Sequence, residues 1–473
     1  MPLNFAFDNS YARLPDRFFA RQNAAKAPAP RLLAYNAARA EELGLGSEAS
    51  EAELAQIFSG NVTPDGAAPL AQAYAGHQFG GFSPQLGDGR ALLVGEVMAK
   101  DGKRFDIQLK GSGRTPFSRR GDGKAWLGPV LREYVVSEAM HALGVPTTRA
   151  LAAVATGDTV LRQTALPGAV LTRVAASHLR IGTFQYFAVR DDREALQTLM
   201  DYAIARHDPQ ADGPAAFLQG CIDRQVKLIP QWMGLGFIHG VMNTDNCAIS
   251  GQTIDYGPCA FMDDFHPNMT FSSIDHQGRY SYSNQMHVLV WNLAQLASAL
   301  VPLNANEDAA VEDYTIRINK MPEALKSEWL RVFCAKIGIS KPRPDDQKLI
   351  ERLLALMAAN HSDFTNTFRA LVDGNARDPF SDRDAFDQWQ KDWQTRIAVE
   401  PNPQALMARN NPVYIPRNHR IEQMIDAALD GDLAPMQRLM TVLANPYTVQ
   451  DGAEDLRRPP TPDEVVPQTF CGT

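Results

Sequence analysis

The sequence lacks a basic excess: 46 lysines and arginines stand against 54 aspartates and glutamates, a formal net charge of −8. Nucleic-acid-binding domains usually carry the opposite balance, so no nucleic-acid partner is expected. Cysteine is scarce. The five present, Cys221, Cys247, Cys259, Cys334 and Cys471, are scattered and form no C-x-x-C pair, which argues against a zinc knuckle or a disulfide scaffold. Long apolar runs are missing as well, since no stretch approaches the ~20 uninterrupted apolar residues that span a bilayer. The opening MPLNFAFDNSYARLPDRFF breaks its apolar residues with Asp8, Arg13, Asp16 and Arg17, so it does not read as a secretion signal. A soluble, cytoplasmic protein with no membrane partner is the expectation.

What remains is ordinary globular material: 473 residues, 45% hydrophobic and 21% charged, enough for two or three domains with a large core. Residues 1–60 mix short helical patterns with prolines and read as an extension wrapping a core. The run ALLVGEVMAKDGKRFDIQLKGSG places Asp101-Gly102 between two β-rich segments, a hairpin signal within an antiparallel sheet. GPVLREYVVSEAMHALGVP predicts a helix, with Leu131, Val135, Met140 and Leu143 at helical spacing, Gly144 as its cap and Pro146 as its stop. FLQGCIDRQVKLIPQWMGLGF predicts a second helix, and CAISGQTIDYG a short hairpin-like segment. From Asn284 onward the patterns are helical, broken at SKPRPDD and NNPVYIPRNH, and RRPPTPDEVVPQTFCGT reads as an extended, mobile tail.

The octapeptide HGVMNTDN, His239–Asn246, opens with a histidine and closes with an asparagine, the frame that protein kinases write H-R-D-x-x-x-x-N around their catalytic base. Val241 stands where that base belongs. Other kinase-like features come in kinase order. Gly87 and Gly89, followed by Arg90, form a glycine turn that could let backbone amides approach phosphates. Lys110 ends a strand-like run, and Glu133 on the next helix could hold its ammonium toward a nucleotide. Asp255 opens D-Y-G, and with Asn246 it offers the oxygen ligands that a hard divalent cation needs. The stretch KGSGRTPFSRRGDGKAW adds Arg114, Arg119, Arg120 and Lys124; its P-loop likeness fails because Ala125 replaces the required hydroxyl and Ser118 the first glycine. With Arg173 and Arg180 there is more guanidinium than γ-phosphate transfer needs. A clamped β,γ-pyrophosphate would make the α-phosphate the point of attack, leaving Asp245 as the loop's remaining carboxylate for general-base work. A kinase using Asp245 and a non-catalytic ATP-binding scaffold are the competing readings.

The blocks QLGDGRALLVGE, DIQLKGSGRTPFSRRGDGKAWLGPVLREYVVSEAMHALGVPTTRAL, HGVMNTDN, DYGPCAFMD and DHQGRYSY resemble the selenoprotein O family, pseudokinases that act as protein adenylyltransferases, and the likeness runs over nearly the whole chain. It implies an α+β, protein-kinase-like bilobal fold that binds ATP in a flipped orientation. AMP would move to Ser, Thr or Tyr hydroxyls of protein substrates, with Mg²⁺ or Mn²⁺, and with Mn²⁺ UMP could move from UTP instead. By motif, Gly87, Gly89, Arg90, Lys110, Asp122, Gly123, Arg173 and Arg180 would hold the nucleotide. Asp245 would accept the proton, Asn246 and Asp255 would bind the metal, and Glu133 would orient Lys110. The implied layout is an N-terminal extension (1–60), an N-lobe (61–170), a C-lobe with the catalytic loop and DYG (171–310), added C-terminal helices (311–455) and a tail (456–473) carrying Cys471. The family often ends in a selenocysteine or cysteine at that place; a redox role and an unreactive tail thiol are equally open.

Overall fold

The computed structural model describes residues 3–46, 48–378 and 380–470. Its first half is built around one antiparallel sheet. The strands are β1 (Phe19–Arg21), β2 (Arg31–Tyr35), β3 (Leu70–Gln72), β4 (Gly76–Gln78), β5 (Gly81–Ser83), β6 (Ala91–Met98), β7 (Arg104–Lys110), β8 (Ala125–Trp126), β9 (Arg149–Leu161) and β10 (Ala165–Ala175). In the sheet they run β1-β3-β6-β7-β10-β9-β2, with β8 beside β10, while β4 and β5 pair only with each other. The Asp101-Gly102 hairpin forms between β6 and β7 as expected, with Gly102 at φ 78°. Residues 1–60 do more than wrap: they supply both edge strands, and α1 (Ala37–Leu43) and α2 (Glu51–Phe58) cover one sheet face with Leu43, Leu54 and Phe58. Three- and five-residue strands flanked by prolines show too little alternation to be read in advance.

The helix α3 (Leu127–Ala142) lies on the other face against β9 and β10. Pro129 falls in its first turn, where no helical hydrogen bond is lost, and Gly144 (φ 83°) turns the chain just past its end. The second half is helical: α4 (Ile181–Ala188), α5 (Arg193–His207), α6 (Pro214–Gly234), α7 (Gln285–Leu300), α8 (Glu307–Lys336) and, among the described residues, seven further helices up to Arg457. Among the described residues its only strands are β11 (Phe237–Ile238) and β12 (Ala260–Phe261), which pair with each other. The molecule is thus mixed α+β. Two large apolar clusters fill it. One spans α3, the sheet and α4 to α7; the other fills the C-terminal helices around Phe333, Phe364, Phe368 and Trp389.

Two expectations change. CAISGQTIDYG is no hairpin: Ala248 bridges to Arg180 and Thr253 to Thr147, so it is a linker pinned at two points to earlier parts of the chain. The tail is tied to the body at two points, because Gln423 donates to Glu464 and Thr469 bridges to Ser272; Cys471 lies outside the described residues. The run Tyr282–Leu303 is long and apolar enough to cross a membrane, but α7 packs against α4, α6 and α8.

Candidate active site

RFDIQLK in β7 is buried along most of its length, and its alternation sorts the side chains. Ile107 and Leu109 enter the apolar layer under α1 and α2, so Asp106, Gln108 and Lys110 share the opposite face. Lys110 places its ammonium 2.5 Å from Glu133 Oε2 and 2.6 Å from Asp255 Oδ1. Arg173 on β10 stands directly across from Gln108 and donates to Gln108 Oε1 (2.6 Å), Asp255 Oδ1 (2.8 Å) and Glu133 Oε1 (3.2 Å). Arg180, at the entry to α4, lies 3.4 Å from Asp88 Oδ1 and 3.9 Å from Asp255 Oδ2, with its guanidinium over the Tyr74 ring.

Lys110, Arg173 and Arg180 therefore face the carboxylates of Glu133, Asp255 and Asp88, nearly sealed from water. Asp255 is the exception, with 21% of its side chain exposed. Burial alone would raise the Asp255 carboxyl, but Lys110, Arg173 and Arg180 overrule it and hold it well below the usual carboxylate range. Asp255 also keeps a left-handed backbone (φ 64°), uncommon for a non-glycine residue though less so for aspartate than for most. An arriving polyphosphate would meet cations that are already desolvated and oriented, the condition under which fixed charge acts most strongly.

The glycine turn behaves differently from expectation. The N–H groups of Gly87, Asp88 and Gly89 donate to Tyr74, Gln72 and Gly87 carbonyls, so they are not presented to a phosphate. What the glycines admit is the loop between β7 and β8. A Cβ on Gly87 would overlap the Phe117 ring, and one on Gly89 would come 3.0 Å from the Phe117 carbonyl. Thr115 Oγ1 donates to the Asp88 carbonyl (2.7 Å) and Ser118 Oγ to that of Gly89, fastening the loop over the turn. Arg114, Arg119 and Arg120 are left exposed at its rim. Half-buried Arg90 leads into β6, its carbonyl accepting from Gly111 beside Lys110. Asp122 and Gly123 sit at the loop's closing end. Gly123 (φ 70°) lies flat on Gly113, and Asp122 accepts from Arg162 (2.9 Å) and the Lys124 amide (3.0 Å) instead of joining the cluster.

Sequence reading missed Asp88 and Gln108. Asp88 is buried between the two glycines; its Oδ2 accepts from Gln72 N–H (3.1 Å) and Gln108 Nε2 (3.2 Å), and its Oδ1 faces Arg180. The signal was available in DIQLK, where polar residues alternate on a strand otherwise built for burial.

HGVMNTDN closes the site from below. His239 is buried, stacked on Trp232, and its Nε2 lies 2.8 Å from the Ile254 carbonyl, which ties the loop's start to the segment entering Asp255. Val241 is buried and apolar. Asp245 is buried too; its Oδ2 accepts from Gln78 Nε2 (3.1 Å), whereas Oδ1 has no partner. Burial pushes its carboxyl up to about 6, against the pull of its own backbone N–H, Gln78 and Arg180.

Asn246 donates its amide nitrogen to the Val241 carbonyl (3.0 Å), which leaves the amide oxygen as its remaining ligand atom. That oxygen and the Asp255 carboxylate are hard donors of the kind that Mg²⁺ or Mn²⁺ takes. Among the described residues no three His, Cys, Asp or Glu side chains could hold an ion by themselves, so nucleotide oxygens would have to complete its shell.

A lysine held between two carboxylates, converging arginines and a loop without the kinase base define a nucleotide-handling enzyme. Residues 2–444 match the family described as Protein adenylyltransferase SelO, and the chain belongs to that family; it is a nucleotidyltransferase. Over the full length of both chains it is 60% identical to a protein nucleotidyltransferase YdiU of Ruegeria sp. and 59% identical to that of Ruegeria pomeroyi. The counterpart in Roseobacter denitrificans is 60% identical over the same span. The resemblance visible in the sequence blocks is thereby borne out.

Proposed function

We propose that the enzyme transfers AMP from ATP to Ser, Thr or Tyr hydroxyls of proteins and releases pyrophosphate, and that UTP with Mn²⁺ can serve as a donor of UMP. Lys110, Arg173 and Arg180 hold the β- and γ-phosphates as a leaving group, with Glu133 fixing Lys110. Asp245 takes the hydroxyl proton as that oxygen bonds to the α-phosphorus and the bond to the β-phosphate oxygen breaks. A divalent ion on Asn246 and Asp255 supplies charge neutralisation at the phosphates when bound. The observation that carries this reading is the exchange within one loop: apolar Val241 where a kinase keeps its base, and Asp245 with an oxygen that nothing else engages.

The test is transfer from ATP labelled at the α or at the γ position. Label reaching protein from the α position alone is expected. Label from γ alone would make the enzyme a kinase with Asp245 as base, and no transfer from either would favour a nucleotide-binding scaffold.

A further inference from the structure

The hairpin of β4 and β5 stands apart from the main sheet, and the mechanism so far gives it no task. Its two-residue turn is Phe79-Gly80, at φ 51° and 84°, the type I′ geometry that suits tight hairpins. Phe79 is not glycine, so its left-handed backbone needs support from outside the hairpin. The catalytic loop gives it. Phe79 N–H donates to Asn243 Oδ1 (3.2 Å), and Tyr280 OH closes the same corner on Asn243 (2.6 Å). His77 N–H donates to Thr244 Oγ1 (2.7 Å), and Gln185 links Thr244 Oγ1 (2.7 Å) with His77 Nδ1 (2.9 Å). Three consecutive loop residues, Asn243, Thr244 and Asp245, are thus read by three consecutive hairpin residues.

The third of these contacts is Gln78 Nε2 to Asp245 Oδ2 (3.1 Å). The other oxygen, Oδ1, lies against Gly76, where an added Cβ would come within 2.5 Å of it. The hairpin therefore grips one carboxylate oxygen by a hydrogen bond, and because Gly76 has no Cβ its backbone closes against the other, which is buried and has no hydrogen-bond partner. On the strength of the Asp245 assignment proposed above, we infer that Gln78 is a positioning residue: by holding Oδ2 it fixes the rotation of the Asp245 carboxylate in the orientation from which the acceptor's proton is taken. Without that bond the carboxylate can turn about its last torsion, and the arrangement needed for proton transfer is populated less often.

The experiment is a double-mutant cycle of Gln78→Met with Asp245→Asn, measured on the full chain with α-labelled ATP and denatured casein as the hydroxyl-bearing acceptor. Gln78→Met is expected to lower kcat about 10-fold or more, with KM for ATP unchanged, and to lower it no further in the Asp245→Asn background. Loss in both backgrounds would mean that Gln78 only supports the fold, and a kcat within about 2-fold of wild type would likewise overturn the inference. If Gln78→Met does not fold, Gln78→Leu, which also lacks the N–H donor and adds no charge, carries the same test. Full activity of Asp245→Asn would instead defeat the assignment of the base, a result separable from intact Gln78→Met activity beside an Asp245→Asn enzyme reduced to a low but measurable rate.

Discussion

Two buried lysines divide the molecule. Lys110, in the cleft, sits between the carboxylates of Glu133 and Asp255. Lys336, at the end of α8, is 2% exposed, and among the described residues no carboxylate pairs with it; the nearest stabilising groups are the rings of Phe368 and Phe364, 4.3 and 5.5 Å away. Burial pushes the Lys336 ammonium down to about 7. Around Lys110 charge is held in place by opposite charge at the expense of desolvation, in the site proposed to use it. In the helical half a charge is buried with only aromatic faces to offset the loss of water, which is a net burden on stability.

The sharpest way to break this contrast is to remove each lysine in turn. Lys110→Met is expected to lower turnover on the order of 1,000-fold, while Lys336→Met leaves it within about 2-fold; equal losses in steady-state assays would erase the distinction. Next comes Glu133→Gln, which keeps the shape but frees the ammonium. A loss of about 10–100-fold in kcat/KM is expected, with the melting temperature little changed. Lys336→Met should then stabilise the fold by roughly 2–4 kcal/mol at pH 6 to 7 in chemical denaturation. Its sign follows from linkage. Below about pH 7 the lysine is charged in both folded and unfolded chains and the full penalty applies; between there and its ordinary value of 10.5 only the unfolded chain holds the proton. Wild-type stability therefore gains on the variant as pH rises, and the difference should vanish by about pH 10.5. The smallest effect is expected at the rim: Arg119→Ala with Arg120→Ala should weaken nucleotide binding about 2–5-fold, and less at high salt, as screened surface charges do.

The legible parts of the site were those whose roles depend on order along the chain. A lysine ending a strand, a glutamate on the next helix, a histidine-to-asparagine frame and an aspartate before Tyr256-Gly257 keep their meaning in one dimension. Asp88 and Gln78 did not, because their importance lies in which side chain they meet: Arg180 is 92 residues from Asp88, and Asp245 is 167 from Gln78. Asp122 shows the converse. It lies in a glycine-rich basic run, yet Arg162 at the β9–β10 turn claims it. The edge strands β1 and β2 were hidden for another reason, since their pairing is decided by partners across the sheet and not by local alternation.

Thr469 also sets a clock. Its hydroxyl donates to the carbonyl of Pro258, 211 residues earlier and three after Asp255. At ordinary rates of synthesis, about 5–20 residues per second, roughly 10–40 seconds separate the appearance of the two partners. Throughout that interval the segment following Asp255 must wait without its clasp, so it is among the last parts of the newborn chain to be fastened.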